Sequence, residues 1–79
     1  MEQKLLDRIV INPKIMVGKP IIKGTRIPVE YILKKLAQNI DVEEILKDYP
    51  RLTKEDIQAA IMYAESLVEN TDIFPLQTA

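Results

Sequence analysis

The sequence predicts a mainly α fold: a three-helix helix-turn-helix domain, of homeodomain-like or winged type, with a short N-terminal β segment. Three observations predict it. Apolar residues recur at helical spacing over residues 29–37 and again over 57–68. A short turn at residues 49–52, holding Pro50, separates two stretches of the lengths a helix-turn-helix pair uses. Ahead of Pro28 the apolar runs are short, β-branched and broken by Asn12-Pro13, Gly18 and Gly24.

Taken in order, Met1 to Leu6 reads as a frayed start or a short turn of helix. Arg8-Ile9-Val10-Ile11 reads as a strand that Asn12-Pro13 stops, Met16-Val17 as an extension of a second strand, and Pro20-Ile21-Ile22 as another short strand or edge piece. Such pieces form at most a small sheet, marginal alone, which pairing across a dimer axis would reinforce. Pro28 suits the first turn of a helix, where its missing N–H costs nothing. Val29, Ile32, Leu33, Leu36 and Ala37 share one face of that helix, and Asn39 ends it with Ile40 packing behind. Asp41 opens the second helix, with Glu44 three residues on as a capping-box pair; Val42, Ile45 and Leu46 form its buried side. Pro50 forbids its continuation. Thr53 caps the third helix. Ile57, Ala60, Ile61, Ala64, Leu67 and Val68 follow at i, i+3, i+4, i+7, i+10 and i+11 as its core stripe, so Ile61→Asp is expected to unfold the chain. Residues 8–27 thus form a basic β/loop segment, 28–69 the three helices and 70–79 a tail, all within a single domain of 79 residues.

Composition narrows the chemistry. The chain has no cysteine and no histidine, and Ser66 is its one serine. A nucleophile therefore has no imidazole to activate it, and no catalysis is expected. Asp41, Glu43, Glu44 and Asp48 lie close in sequence, a set able to bind magnesium or calcium, but without an EF-hand spacing they read as helix caps and dipole partners. No metal and no cofactor is expected. The absence of cysteine fits a reducing cytoplasm, and no stretch resembles a signal peptide or a membrane span. Oligomerisation is the remaining common means of stabilising so small a core.

Net charge is −1, yet residues 1–36 carry +5 and residues 37–79 carry −6. This asymmetry offers a basic and an acidic surface to two partners, or a head-to-tail self-contact, unless the halves mix on the folded surface. The basic part culminates in Gly18-Lys19-Pro20-Ile21-Ile22-Lys23-Gly24-Thr25-Arg26-Ile27-Pro28. That run holds both glycines, three cations and no anion. It places backbone N–H groups beside cations, although the spacing is not that of a Walker loop. Contact with nucleic-acid phosphate is the alternative use of the same groups. For Arg26, pairing with Glu30 one helical turn on competes with that role. The candidate DNA-binding residues are Lys14, Lys19, Lys23, Thr25, Arg26 and Arg51, with Thr53, Lys54 and Gln58 opening the third helix, the recognition helix of the helix-turn-helix reading. Glu55, Asp56, Glu65 and Glu69 make that helix mildly acidic, so the basic segment, with Lys34 and Lys35, is expected to supply most affinity. Tyr31, Tyr49, Tyr63 and Phe74 are not interleaved with the basic run, so no single-strand stacking platform is visible; Tyr49 and Tyr63 read as core or interface residues.

The motifs also carry a family resemblance. Asn12-Pro13, Gly18-Lys19-Pro20 and Gly24-Thr25-Arg26, then Tyr49-Pro50, Leu52-Thr53, Glu55-Asp56-Ile57, Ala59-Ala60 and Tyr63-Ala64, resemble the domain-of-unknown-function family 433 (DUF433) over roughly residues 8–68. Asn39 stands where that family usually has glycine, and asparagine also tolerates a left-handed backbone. Its members look like antitoxins of bacterial and archaeal toxin–antitoxin pairs. The resemblance implies a protein that binds and silences a PIN-like ribonuclease toxin and represses its own promoter by binding double-stranded operator DNA as a homodimer. Ile73, Phe74 and Leu76 of the apolar tail are the expected partner-binding residues, while Arg26 or Arg51 are candidates to plug an acidic nuclease site. The alternative is a protein-interaction and dimerisation module that binds no DNA.

Overall fold

The structure, a computed structural model, describes residues 2–69; the tail, with Ile73, Phe74 and Leu76, lies outside the described residues. Helix α1 (Glu2–Leu6) leads into strand β1 (Ile9–Ile11), which pairs antiparallel with β2 (Pro20–Ile22) in the register Ile9–Ile22, Val10–Ile21 and Ile11–Pro20. Helices α2 (Val29–Ala37), α3 (Val42–Asp48) and α4 (Lys54–Glu69) follow. Among the described residues the domain is therefore four helices and one two-stranded antiparallel sheet, not three helices, because α1 is a helix that packs on α4.

Met16 and Val17 belong to no strand. The chain must reverse between antiparallel neighbours, and it does so at Met16, Val17 and Gly18, with φ of 53°, 55° and 78°. Asn12 starts this reversal by accepting the Lys14 N–H on its side-chain oxygen at 2.9 Å, an Asx turn. Left-handed backbone suits glycine but strains a β-branched residue. Val17 is 95% exposed, so its side chain gains nothing from packing. Val17→Gly is accordingly expected to raise stability by about 0.5–1 kcal/mol in urea unfolding, the strain relieved exceeding the added chain entropy. A loss of stability would show that Val17 is held by something other than its turn.

Pro28 is the N-cap of α2, one residue ahead of the helix, where it also bridges to Ile21. Val29 and Ile32 are buried, whereas Ala37 is exposed. Asn39, at φ 64°, ends α2 in a Schellman arrangement. The Asn39 N–H donates to Leu36 O at 2.9 Å and the Ile40 N–H to Lys35 O at 3.0 Å, with Ile40 packed on the core. In α3, Ile45 is buried completely. Asp41 occupies its N-cap, but its side chain makes no capping bond, so the box expected with Glu44 does not form. The Leu52 N–H donates to Tyr49 O at 2.9 Å and closes the Pro50-Arg51 turn.

A reciprocal box forms instead at α4. The Asp56 N–H donates to Thr53 Oγ1 at 3.2 Å, and Asp56 Oδ2 accepts the Thr53 N–H at 3.0 Å. Asp56 Oδ1 accepts from the Arg8 guanidinium at 3.0 Å. Those partners allow an aspartate only 6% exposed to sit in the interior. This also rotates the buried face of α4. Asp56, Ile57, Ala59 and Ala60 are buried, while Ile61, Leu67 and Val68 are 48%, 53% and 63% exposed. Of the expected stripe, Ile57 and Ala60 are buried and Ala64 is half-buried, whereas Ile61, Leu67 and Val68 lie outside the core. Burial runs through the paired aspartate and two small alanines, which admit close neighbours, and leaves Ile61 on the rim. The core joins Ile22 of β2, Val29 and Ile32 of α2, Ile45 of α3, Leu52, and Ile57 and Ala60 of α4. Tyr49 and Tyr63 pack against it, half-buried. Among the described residues, no helix is long and apolar enough to cross a membrane.

Candidate functional site

Residues 23–27 form a tight, internally bonded turn. Gly24 takes φ 81°, which side-chain-bearing residues adopt only under strain. The Thr25 hydroxyl donates to Ile22 O at 2.7 Å and accepts the Ile27 N–H at 3.0 Å. The Lys23 N–H donates to Arg8 O at 2.7 Å. The turn therefore holds a fixed shape and presents Arg26 outward, exposed.

Arg51, in the turn between α3 and α4, is also exposed and lines the same open groove as Arg26. The groove encloses about 510 Å³. Its walls and floor are Val10, Asn12, Ile15, Ile21, Gly24, Thr25 and Ile27. Two arginines 25 positions apart in sequence thus line one largely apolar groove, and among the described residues no carboxylate lines it. Guanidinium forks bind phosphate or carboxylate bidentately, so the groove can take an anion with an apolar neighbour.

The other expected residues divide by environment. Lys19 sits apart: its Nζ lies 2.7 Å from Glu30 Oε1. Hydrogen bonding to Glu30 and then the charge of Glu30 hold the Lys19 ammonium above its ordinary value. Glu30 therefore pairs with Lys19, not with Arg26 as one reading had it. Lys14 and Lys23 are exposed on the loops flanking the strands, outside the groove lining. The hydroxyls of Thr25 and Thr53 are engaged in turn and cap. Lys54 and Gln58 are exposed on the first turns of α4. Asp41, Glu43 and Glu44 surround Lys47, and among the described residues no three acids converge as metal ligands would.

The sequence reading missed two constellations. The Arg8–Asp56 pair joins residues 48 positions apart. Tyr31, Lys34 and Lys35 of α2 and its C-cap Gln38 share a second concavity with Tyr49. The i, i+3, i+4, i+7 spacing of the first four is legible, but the arrival of Tyr49 is a tertiary event.

Comparison with known proteins agrees with this architecture. A family described as protein of unknown function (DUF433) matches residues 9–64. An uncharacterized protein of Sinorhizobium fredii, y4eO, is 38% identical over 55 residues, which are 70% of this chain and 25% of that protein. This chain therefore spans about a quarter of that relative's length. An uncharacterized protein of Archaeoglobus fulgidus is 64% identical over 25 residues, 32% of this chain and 69% of its own. The crystal structure of a DUF433 member from Anabaena variabilis superposes with a TM-score of 0.74 at 39% identity, over 85% of this chain and 66% of that one. With the family pattern running from β1 into α4 and the same fold in a solved member, the chain belongs to the DUF433 family.

Proposed function

We infer that this chain is a non-catalytic antitoxin: a homodimeric protein of the cytoplasm that binds a PIN-like ribonuclease and its own operator DNA. The observation that carries the reading is that Arg26 and Arg51 line one groove in which, among the described residues, no carboxylate faces them. In this reading α3 and α4 act as the helix-turn-helix pair, with Lys54 and Gln58 exposed at the start of the helix that would face base edges. The two arginines would then fix the backbone beside it. The tail residues Ile73, Phe74 and Leu76 would contact the nuclease.

A second reading, a protein-interaction module that binds no DNA, is favoured by one observation. The solvent face of α4 carries Glu55, Glu65 and Glu69 beside exposed Ile61 and Val68, a surface that repels phosphate. Salt dependence separates the two. Mobility shift of the promoter duplex at graded salt is expected to give a steep decline for the native chain. Arg26→Ala with Arg51→Ala should reduce the slope of log K against log salt by about 1.8, two phosphate contacts' worth. An unchanged slope would remove the groove from DNA binding. No duplex binding by the native chain, alongside a stable complex with the ribonuclease encoded beside it, would establish the second reading.

A further inference from the structure

The concavity between α2 and the end of α3 has a different chemistry from the arginine groove and shares no lining residue with it. It encloses about 230 Å³ and is lined by Tyr31, Lys34, Lys35, Gln38 and Tyr49. Tyr31 is 50% exposed, on a helix that also contributes Lys34 and Lys35 to the same concavity. The Lys35 ammonium stands 5.8 Å from the Tyr49 ring centroid, within cation–π range, so it is held at the wall of the concavity. Among the described residues, no carboxylate lines the site.

Two rings, two ammonium groups and one amide are the parts a nucleotide needs. A ring stacks on a base, ammonium groups take the flanking phosphates, and the Gln38 amide can both donate to and accept from a base edge. A duplex hides the faces of its bases, so a stacking ring on an exposed helix selects an unpaired strand. We propose that this face of α2 binds single-stranded nucleic acid, with a base against Tyr31 and phosphates on Lys34 and Lys35. The tyrosines are not interleaved with the basic run at residues 18–28 in sequence, but folding sets Tyr49 beside a second pair of cations, 18 positions after Tyr31. The proposal does not depend on the antitoxin reading.

The test is fluorescence anisotropy of a labelled oligouridylate titrated with the full chain at low salt. Tyr31→Ala is expected to weaken binding roughly 5- to 150-fold, the range of one lost stack. Tyr31→Phe should retain the affinity, because stacking needs the ring and not the hydroxyl. Lys34→Ala with Lys35→Ala should reduce the salt slope by about 1.4. Arg26→Ala with Arg51→Ala should leave oligouridylate binding intact while weakening any duplex binding. Native-like oligouridylate affinity in a folded Tyr31→Ala variant would overturn the proposal. So would no measurable binding by the native chain, or equal competition by duplex DNA, which would reduce the face to a non-selective cationic patch.

Discussion

Ile57→Asp is expected to abolish cooperative unfolding in urea, whereas Ile61→Asp is expected to leave the transition within about 0.5 kcal/mol of the native chain. The two positions lie one helical turn apart and carry the same side chain. They differ in surroundings: Ile57 is 2% exposed and Ile61 is 48% exposed. At Ile57 the substitution removes packing from the buried cluster that also holds Ile22, Ile32 and Ile45, and buries a carboxylate without a partner. Lost packing alone costs about 2–5 kcal/mol, and desolvation adds several more. The total net stability of a domain this small is about 4–12 kcal/mol. At Ile61 the new carboxylate is hydrated. Circular dichroism at graded urea reads both variants, and a cooperative transition surviving in Ile57→Asp would refute the described core.

Asp56→Ala is expected to destabilise the domain by about 2–3 kcal/mol: about 1 for the cap and about 1.5 for the charge-assisted bond. The cost is limited on the other side, because the Arg8 side chain is 42% exposed and water can take up its freed guanidinium. At about 4–8 °C per kcal/mol, the thermal midpoint should fall by roughly 10–20 °C. Thr53→Ala, which removes only the hydroxyl acceptor, should cost about 1 kcal/mol. Arg8→Ala combined with Asp56→Ala should cost less than the two singly, since both remove one bond. Strict additivity would show that the pair contributes nothing as a pair.

Much of the fold is legible in the residues, and the exceptions have specific causes. β1 and β2 follow from short β-branched runs, and Asn39 reads correctly as a left-handed helix stop. Val17 misleads because β-branching signals a strand, while Gly18 and the need to reverse between antiparallel neighbours force a left-handed turn. Asp41 with Glu44 and Thr53 with Asp56 are equally spaced as capping boxes. Only the second closes, where Arg8 arrives to hold the carboxylate. The same arrival makes an aspartate part of the buried face, which hydrophobic periodicity along α4 alone misplaces. At the site, the shaped basic turn around Gly24 is legible, but the convergence of Arg26 with Arg51 and of Tyr31 with Tyr49 needs the packing of α2 and α3. No local pattern carries that information.

The bond between Arg8 and Asp56 also has a consequence in time. The two residues are 48 positions apart, so at translation rates of about 5–20 residues per second the first waits roughly 2–10 s for the second to be made. During that interval the nascent chain has only the β1–β2 pair, which is marginal by itself, and an incomplete set of helices. Among the described residues, Ile57 and Ala60 are the last of the buried core cluster to be made. Synthesis of α4 is therefore the step that closes the domain. A ribosome stalled before residue 56 would hold a chain with exposed isoleucines, a substrate for chaperones rather than for any partner of the finished fold.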